Sequence, residues 1–280
     1  MPWVWRPHPD VWLLVAVLAG GYAYALRRVG PRHVAPEERP ASRSQVVAYS
    51  IGVFTVWVGA DWPVHELAER YLYSVHMIQH ILFSLVAPPL LLLGTPAWMA
   101  RELLRSCGLL RSVCRLARPL PALVVFNTVL ALTHWPALVD FTLRVHPAHF
   151  AAHAALFGSA LLMWCPVVGP LPELRISPPG QMLYLFAQSI VPTVPASFLV
   201  FGQHPLYHFY EHVPRLWGLS AGEDQRIAGL IMKLGEGALL WSIVTVLFFR
   251  WCAQCDAADR QARHLARLDA ELNDIARSAP

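Results

Sequence analysis

Residues 74–94 read SVHMIQHILFSLVAPPLLLLG. The segment contains no Asp, Glu, Lys or Arg. Its length matches the roughly 20 apolar residues that a helix needs to cross a bilayer core. It also opens on two histidines four residues apart, His76 and His80, a spacing that puts both imidazoles on one helix face. A charge-free apolar run and paired imidazoles at one of its ends recur along the chain, and they set the expected fold and the expected chemistry.

Similar apolar runs lie at 11–26, 45–60, 120–135, 149–168, 181–201 and 227–249. The sequence therefore predicts an all-α polytopic membrane protein, a seven-transmembrane-helix bundle forming one domain over 1–280. Residues 251–280 form a polar tail, with Leu265, Leu268, Leu272 and Ile275 at near-helical spacing. The composition agrees: 56% of residues are hydrophobic and 14% charged, too apolar for an ordinary soluble domain. Gly20-Gly21, Pro192 and Pro195 would break a soluble helix, but neighbouring helices can satisfy the freed backbone groups inside a membrane. The first run is read as a retained helix and not a cleaved signal, because Arg27, Arg28 and Arg32 follow it and only Arg6 precedes it.

Orientation follows from the arginines. The connections after runs one, three and five, together with the tail, carry sixteen, and the opposite side carries Arg6, Arg70, Arg144, Arg215 and Arg226. The basic side faces the cytoplasm, which puts the N-terminus outside and the C-terminus inside. No basic groove interleaved with aromatics is present, so nucleic acid is not an expected partner; the lipid bilayer is. The five cysteines, Cys107, Cys114, Cys165, Cys252 and Cys255, fall on the cytoplasmic side and do not read as a disulfide framework. Cys252-x-x-Cys255 alone is a weak metal or redox signal.

On this topology, His33 and His264 fall inside and the other eleven histidines outside or in the outer helical turns. His76 and His80 open run three, His149 and His153 open run five, and His134 closes run four at the same depth. His208 and His212, again four apart, follow run six on the same side, although Pro205 interrupts the chain before them. Imidazole suits zinc, copper, iron and nickel, and burying several unpartnered imidazoles is costly. His76, His80, His134, His149, His153, His208 and His212 are thus candidate metal ligands. The competing reading is a set of interfacial histidines bonded to water and headgroups. It holds for His8, His33, His146 and His264, and His65 is open between the two. The outer acids Asp61, Glu66 and Glu69 read as solvated loop residues. Asp224 and Gln225, just before run seven, and Met232, Lys233 and Glu236 within it, are candidates to support the ligands. Lys233 and Glu236 are spaced to neutralise each other, and intramembrane charges suggest function by default. Met77 and Met232 are soft donors that more often serve as packing.

At these residues the chain resembles the CtaG-type cytochrome c oxidase assembly proteins of bacterial membranes. The resemblance rests on His76-Met-Ile-Gln-His80, Ala87 through Pro96, and His134-Trp135-Pro136. It extends through His149 to His153 with Trp164 and Pro166, Pro205-Leu206-Tyr207 with Tyr210, and Asp224 through Met232. It implies a multi-pass protein of the bacterial cytoplasmic (inner) membrane that serves maturation of a haem-copper oxidase, with copper as the expected metal. Oxidase subunits or other assembly factors are its implied partners. A zinc-dependent membrane hydrolase using the same histidines is the alternative, with Asp224 or Glu236 as base. A haem protein is a third reading, and the pairs four apart suit it less well.

Overall fold

The computed structural model describes residues 5–278, with side chains described through residue 270. All regular structure among the described residues is helical. The chain runs through α1 (Pro9–Tyr24), α2 (Arg43–Ala60), α3 (Val64–Arg70), α4 (Tyr73–Ile81), α5 (Ala87–Gly94), α6 (Ala97–Ser106), α7 (Leu110–Leu116) and α8 (Pro119–Thr133). It continues through α9 (Pro136–Arg144), α10 (His146–Val168), α11 (Pro178–Gln188), α12 (Thr193–Phe201), α13 (His208–Glu211), α14 (Ala221–Leu230) and α15 (Glu236–Ser278). Leu272 and Ile275 of the expected tail stripe lie on α15, outside the described side chains.

Five helical segments are long and apolar enough to cross a membrane: Pro9–Arg32, Tyr73–Gly94, His146–Val168, Pro178–Phe201 and Ala221–Ala270. A sixth joins them if α7 and α8, bent by 84°, are taken as one span. The segment expected at 45–60 is helical as α2, but it is not among the five because its first turn, Arg43-Ser44-Gln45, is polar. Large apolar side chains point outward from the bundle, including Leu120, Leu183, Phe198, Phe201, Trp241 and Phe249. So much exposed apolar surface calls for a hydrocarbon environment.

Local chemistry explains the helix ends. Ser42 with Gln45 and Ser220 with Glu223 form reciprocal capping boxes at the starts of α2 and α14. Prolines stand in the first turns of α8, α9, α10 and α11, where a missing N–H costs nothing. Pro192 does interrupt its segment, since α11 stops at Gln188 and α12 starts at Thr193, whereas Pro195 sits in the first turn of α12.

The span from Tyr73 to Gly94 is central, with α4 packed on α3 and α14, and α5 on α2 and α10. A π-helical turn, Leu82–Val86, joins α4 to α5. Pro88 has no N–H to offer the Ser84 carbonyl four residues back, and the fully buried Trp164 of α10 donates its indole N–H there instead, at 2.9 Å. A second π-helical turn, Ile231–Gly235, joins α14 to α15. Where α2 crosses α5, a side chain at Gly94 would fall onto the backbone of Tyr49, so glycine allows the close approach.

At the far end of α2, buried Asp61 ties the N-terminal helix down. Its carboxylate accepts from Trp12 Nε1, Trp57 Nε1 and the backbone N–H of Trp62, each at 2.8 Å, and contacts His8 at 3.3 Å. Burial alone would raise the Asp61 pKa, but these donors outweigh it and the group lies below its usual range.

Candidate metal centre

Five histidines from three helical segments meet in one buried cluster. α4 supplies His76 and His80, α10 supplies His149 and His153, and His134 stands at the C-terminus of α8. Ring centroids lie 4.5 Å apart for His76–His80, 4.4 Å for His149–His153, 5.4 Å for His76–His153, 5.2 Å for His80–His153 and 5.1 Å for His80–His134. One ring nitrogen from each of His76, His149 and His153 falls within 4.8 Å of the other two. His76, His80, His134 and His149 are buried.

The donor atoms would suit a cation. His76 Nδ1, His80 Nδ1, His134 Nε2 and His153 Nδ1 are all buried without a hydrogen-bond partner, and orphaned buried polar atoms call for an explanation. His134 is the clearest case. Its Nδ1 lies 2.7 Å from the Leu130 carbonyl, which can only accept, so the hydrogen is on Nδ1 and Nε2 presents a lone pair. A backbone carbonyl holding the far nitrogen is the usual way a ligating imidazole is oriented. Tyr207 steadies the same residue by donating to the His134 carbonyl at 3.1 Å.

A carboxylate stands at the outer edge. Glu69 Oε1 of α3 lies 2.9 Å from His149 Nε2 and 3.3 Å from His65 Nε2. Oε1 has no well-aligned donor, so the contact is close but imperfectly directed. Burial would raise the Glu69 pKa; contact with His149 and the field of His65 more than reverse this and hold it at about 2. Burial pushes His65 below its ordinary value, opposed by Glu69. Gln79 of α4 ties this region together, donating to the Gly59 carbonyl at 2.7 Å beside His65. The solvated-loop reading therefore fails for Glu69, and also for Asp61 and Glu66, which are buried. Four residues separate Glu69 from His65 on α3, a pairing visible in the sequence once α3 is taken as a helix.

His208 and His212 are not brought to the cluster. Pro205 directs the chain into a loop and the short α13, where His208 pairs with Glu211 at 3.1 Å and His212 turns to the His208 carbonyl at 2.8 Å, both exposed. Asp224 accepts from the backbone N–H groups of Tyr73 and Ser74 at 2.7 and 3.1 Å. It caps the helix that carries His76 and His80 and touches no ring. Gln225 clamps the α12–α13 loop through Leu206 N and the Leu199 carbonyl. Lys233 does not pair with Glu236; it donates to Thr193 Oγ1. Met232 and Glu236, both buried, line a cavity of about 20 Å³ together with His80, His134 and Met77.

A family model described as the cytochrome c oxidase caa3 assembly factor matches residues 20–254. Uncharacterized proteins of Mycobacterium bovis and Mycobacterium tuberculosis are each 28% identical over 93% of this chain. One of Mycobacterium leprae is 24% identical over the same share. The chain spans 41% of the length of these relatives. No solved structure matches.

Proposed function

Because the chain belongs to the cytochrome c oxidase caa3 assembly factor family, we propose that it holds copper in the histidine cluster and delivers it to a haem-copper oxidase subunit. The single observation behind this reading is the set of buried, unpartnered ring nitrogens on His76, His80, His134 and His153. Imidazoles without other work are costly to bury, and a bound cation would use those lone pairs. Five imidazoles and one carboxylate suit copper or zinc. Membership in an assembly-factor family favours a carrier over a zinc hydrolase.

With this role goes a topology. We infer seven crossings in a bacterial inner membrane, α2 and α8 included, with the N-terminus outside. The cluster then lies just below the periplasmic boundary, and Glu69 faces outward from it. Asp224 and the Leu130 carbonyl fix the ligands; His208 and His212 take no part.

Elemental analysis of the purified chain tests the proposal. Copper is expected to copurify with the wild type. It should fall severalfold in His149→Ala/His153→Ala and in His76→Ala/His80→Ala, and mature oxidase should fall in parallel in cells. Unchanged copper and oxidase in both variants, or zinc in place of copper, would overturn it.

A further inference from the structure

The five histidines do not form one equivalent set. The donors of His76, His149 and His153 share a single small volume, with Glu69 on its outer side. His80 and His134 stand outside that trio. Their free nitrogens, His80 Nδ1 and His134 Nε2, are both buried and unpartnered. The two rings instead border the cavity of about 20 Å³, whose other walls include the Met77 and Met232 side chains and Glu236. That is room for about one water or one ion.

We propose that the cluster contains two cation stations, an outer one at His76, His149 and His153 and an inner one at which His80 and His134 share a soft monovalent cation with the thioethers of Met77 and Met232. The inference rests on the copper-holding reading and adds a second site with a different preference. The outer donors are imidazole and carboxylate, which accept divalent copper or zinc. Thioether sulfur selects Cu(I) among the ions a histidine site admits. Glu236 is buried at the edge of the same cavity, and Lys233 turns away to donate to Thr193.

Methionines in a helical core usually fill space, and Met77 and Met232 do belong to the main core. They differ from ordinary core packing in bordering a small cavity that two imidazoles with unpartnered nitrogens also line. The His80 ring touches both stations, 4.5 Å from His76 and 5.1 Å from His134 by centroid. An ion can therefore pass inward by exchanging one ligand at a time.

The test uses Ag(I), a redox-silent soft monovalent probe, and Zn(II) on the purified full-length chain in detergent, after N-ethylmaleimide has blocked the exposed thiols. Wild type is expected to bind both ions together. Met77→Leu/Met232→Leu, which nearly conserves volume, should weaken Ag(I) by about tenfold or more and leave Zn(II) unchanged. His149→Ala/His153→Ala should do the reverse. X-ray absorption of the Cu(I)-loaded wild type should show sulfur neighbours in addition to nitrogen, which keeps the test valid if the leucine pair folds poorly. Mutual exclusion of Ag(I) and Zn(II), or a purely nitrogen and oxygen shell around Cu(I), would overturn the inner station and leave the copper-holding role standing. Failure of wild type to bind either ion would overturn both.

Discussion

Glu69 Oε1 and His149 Nε2 lie 2.9 Å apart, so a carboxylate from a short helix outside the spanning segments touches the outermost imidazole of the buried cluster. The contact ties α3 to α10. It also places a negative charge where a cation would arrive.

That charge gives the first prediction its sign. The Glu69 pKa is about 2 in the folded chain against an ordinary 4.5. A depressed carboxyl pKa means that the unfolded chain binds more protons across the interval. The stabilisation is complete above 4.5 and is lost as pH falls toward 2. The thermal midpoint of the metal-free protein in detergent should drop on acidification through that window, and Glu69→Gln should drop less. Identical acid sensitivity in the two proteins would show that the imidazoles do not hold the carboxylate.

His208 and His212 provide the negative control. Both are exposed and satisfied within their own loop. The double change His208→Ala/His212→Ala should leave bound copper and the thermal midpoint unaltered, since exposed polar substitutions usually shift stability by less than about 0.5 kcal/mol. A loss of copper comparable to that of the His149/His153 variant would mean that the loop closes over the cluster.

Trp164 tests the central span. Replacing it with Phe keeps most of the ring volume but removes the N–H that the Ser84 carbonyl accepts. An unsatisfied buried carbonyl costs about 1–3 kcal/mol, so Trp164→Phe should lower the thermal midpoint with no change in metal specificity. An unshifted midpoint would mean that another donor, or water, reaches Ser84.

Much of this was legible in the sequence, for definite physical reasons. All seven apolar runs are mainly helical, the sixth with a break at 189–192, because long apolar segments leave the backbone few other ways to satisfy itself. The His76/His80 and His149/His153 pairs face inward together because four-residue spacing survives any tertiary arrangement. His134 joins them because helix length fixes depth. Other features depended on connections that carry no periodic signal. Glu69 reaches the cluster only because α3 packs against α4 and brings the carboxylate to His149. Asp224 meets the chain through the α4 backbone, by way of the Tyr73 and Ser74 N–H groups. Lys233 and Glu236 are spaced as neighbours, yet the π-helical turn at Ile231–Gly235 lies between α14 and α15 and Lys233 turns toward α12. The rough equality of the histidine pairs concealed the cavity that sets His80 and His134 apart, since Met77 and Met232 read as ordinary packing.

The π-helical turn at Leu82–Val86 has a geometric corollary. Such a turn accommodates one residue more than an α-helical one, and each residue of an α-helix advances by about 100° around the axis. The imidazole-bearing half of the central span and the half that packs on α2 and α10 are thus phased independently. A helical wheel drawn unbroken from Tyr73 to Gly94 superimposes flanks that the molecule keeps on different sides.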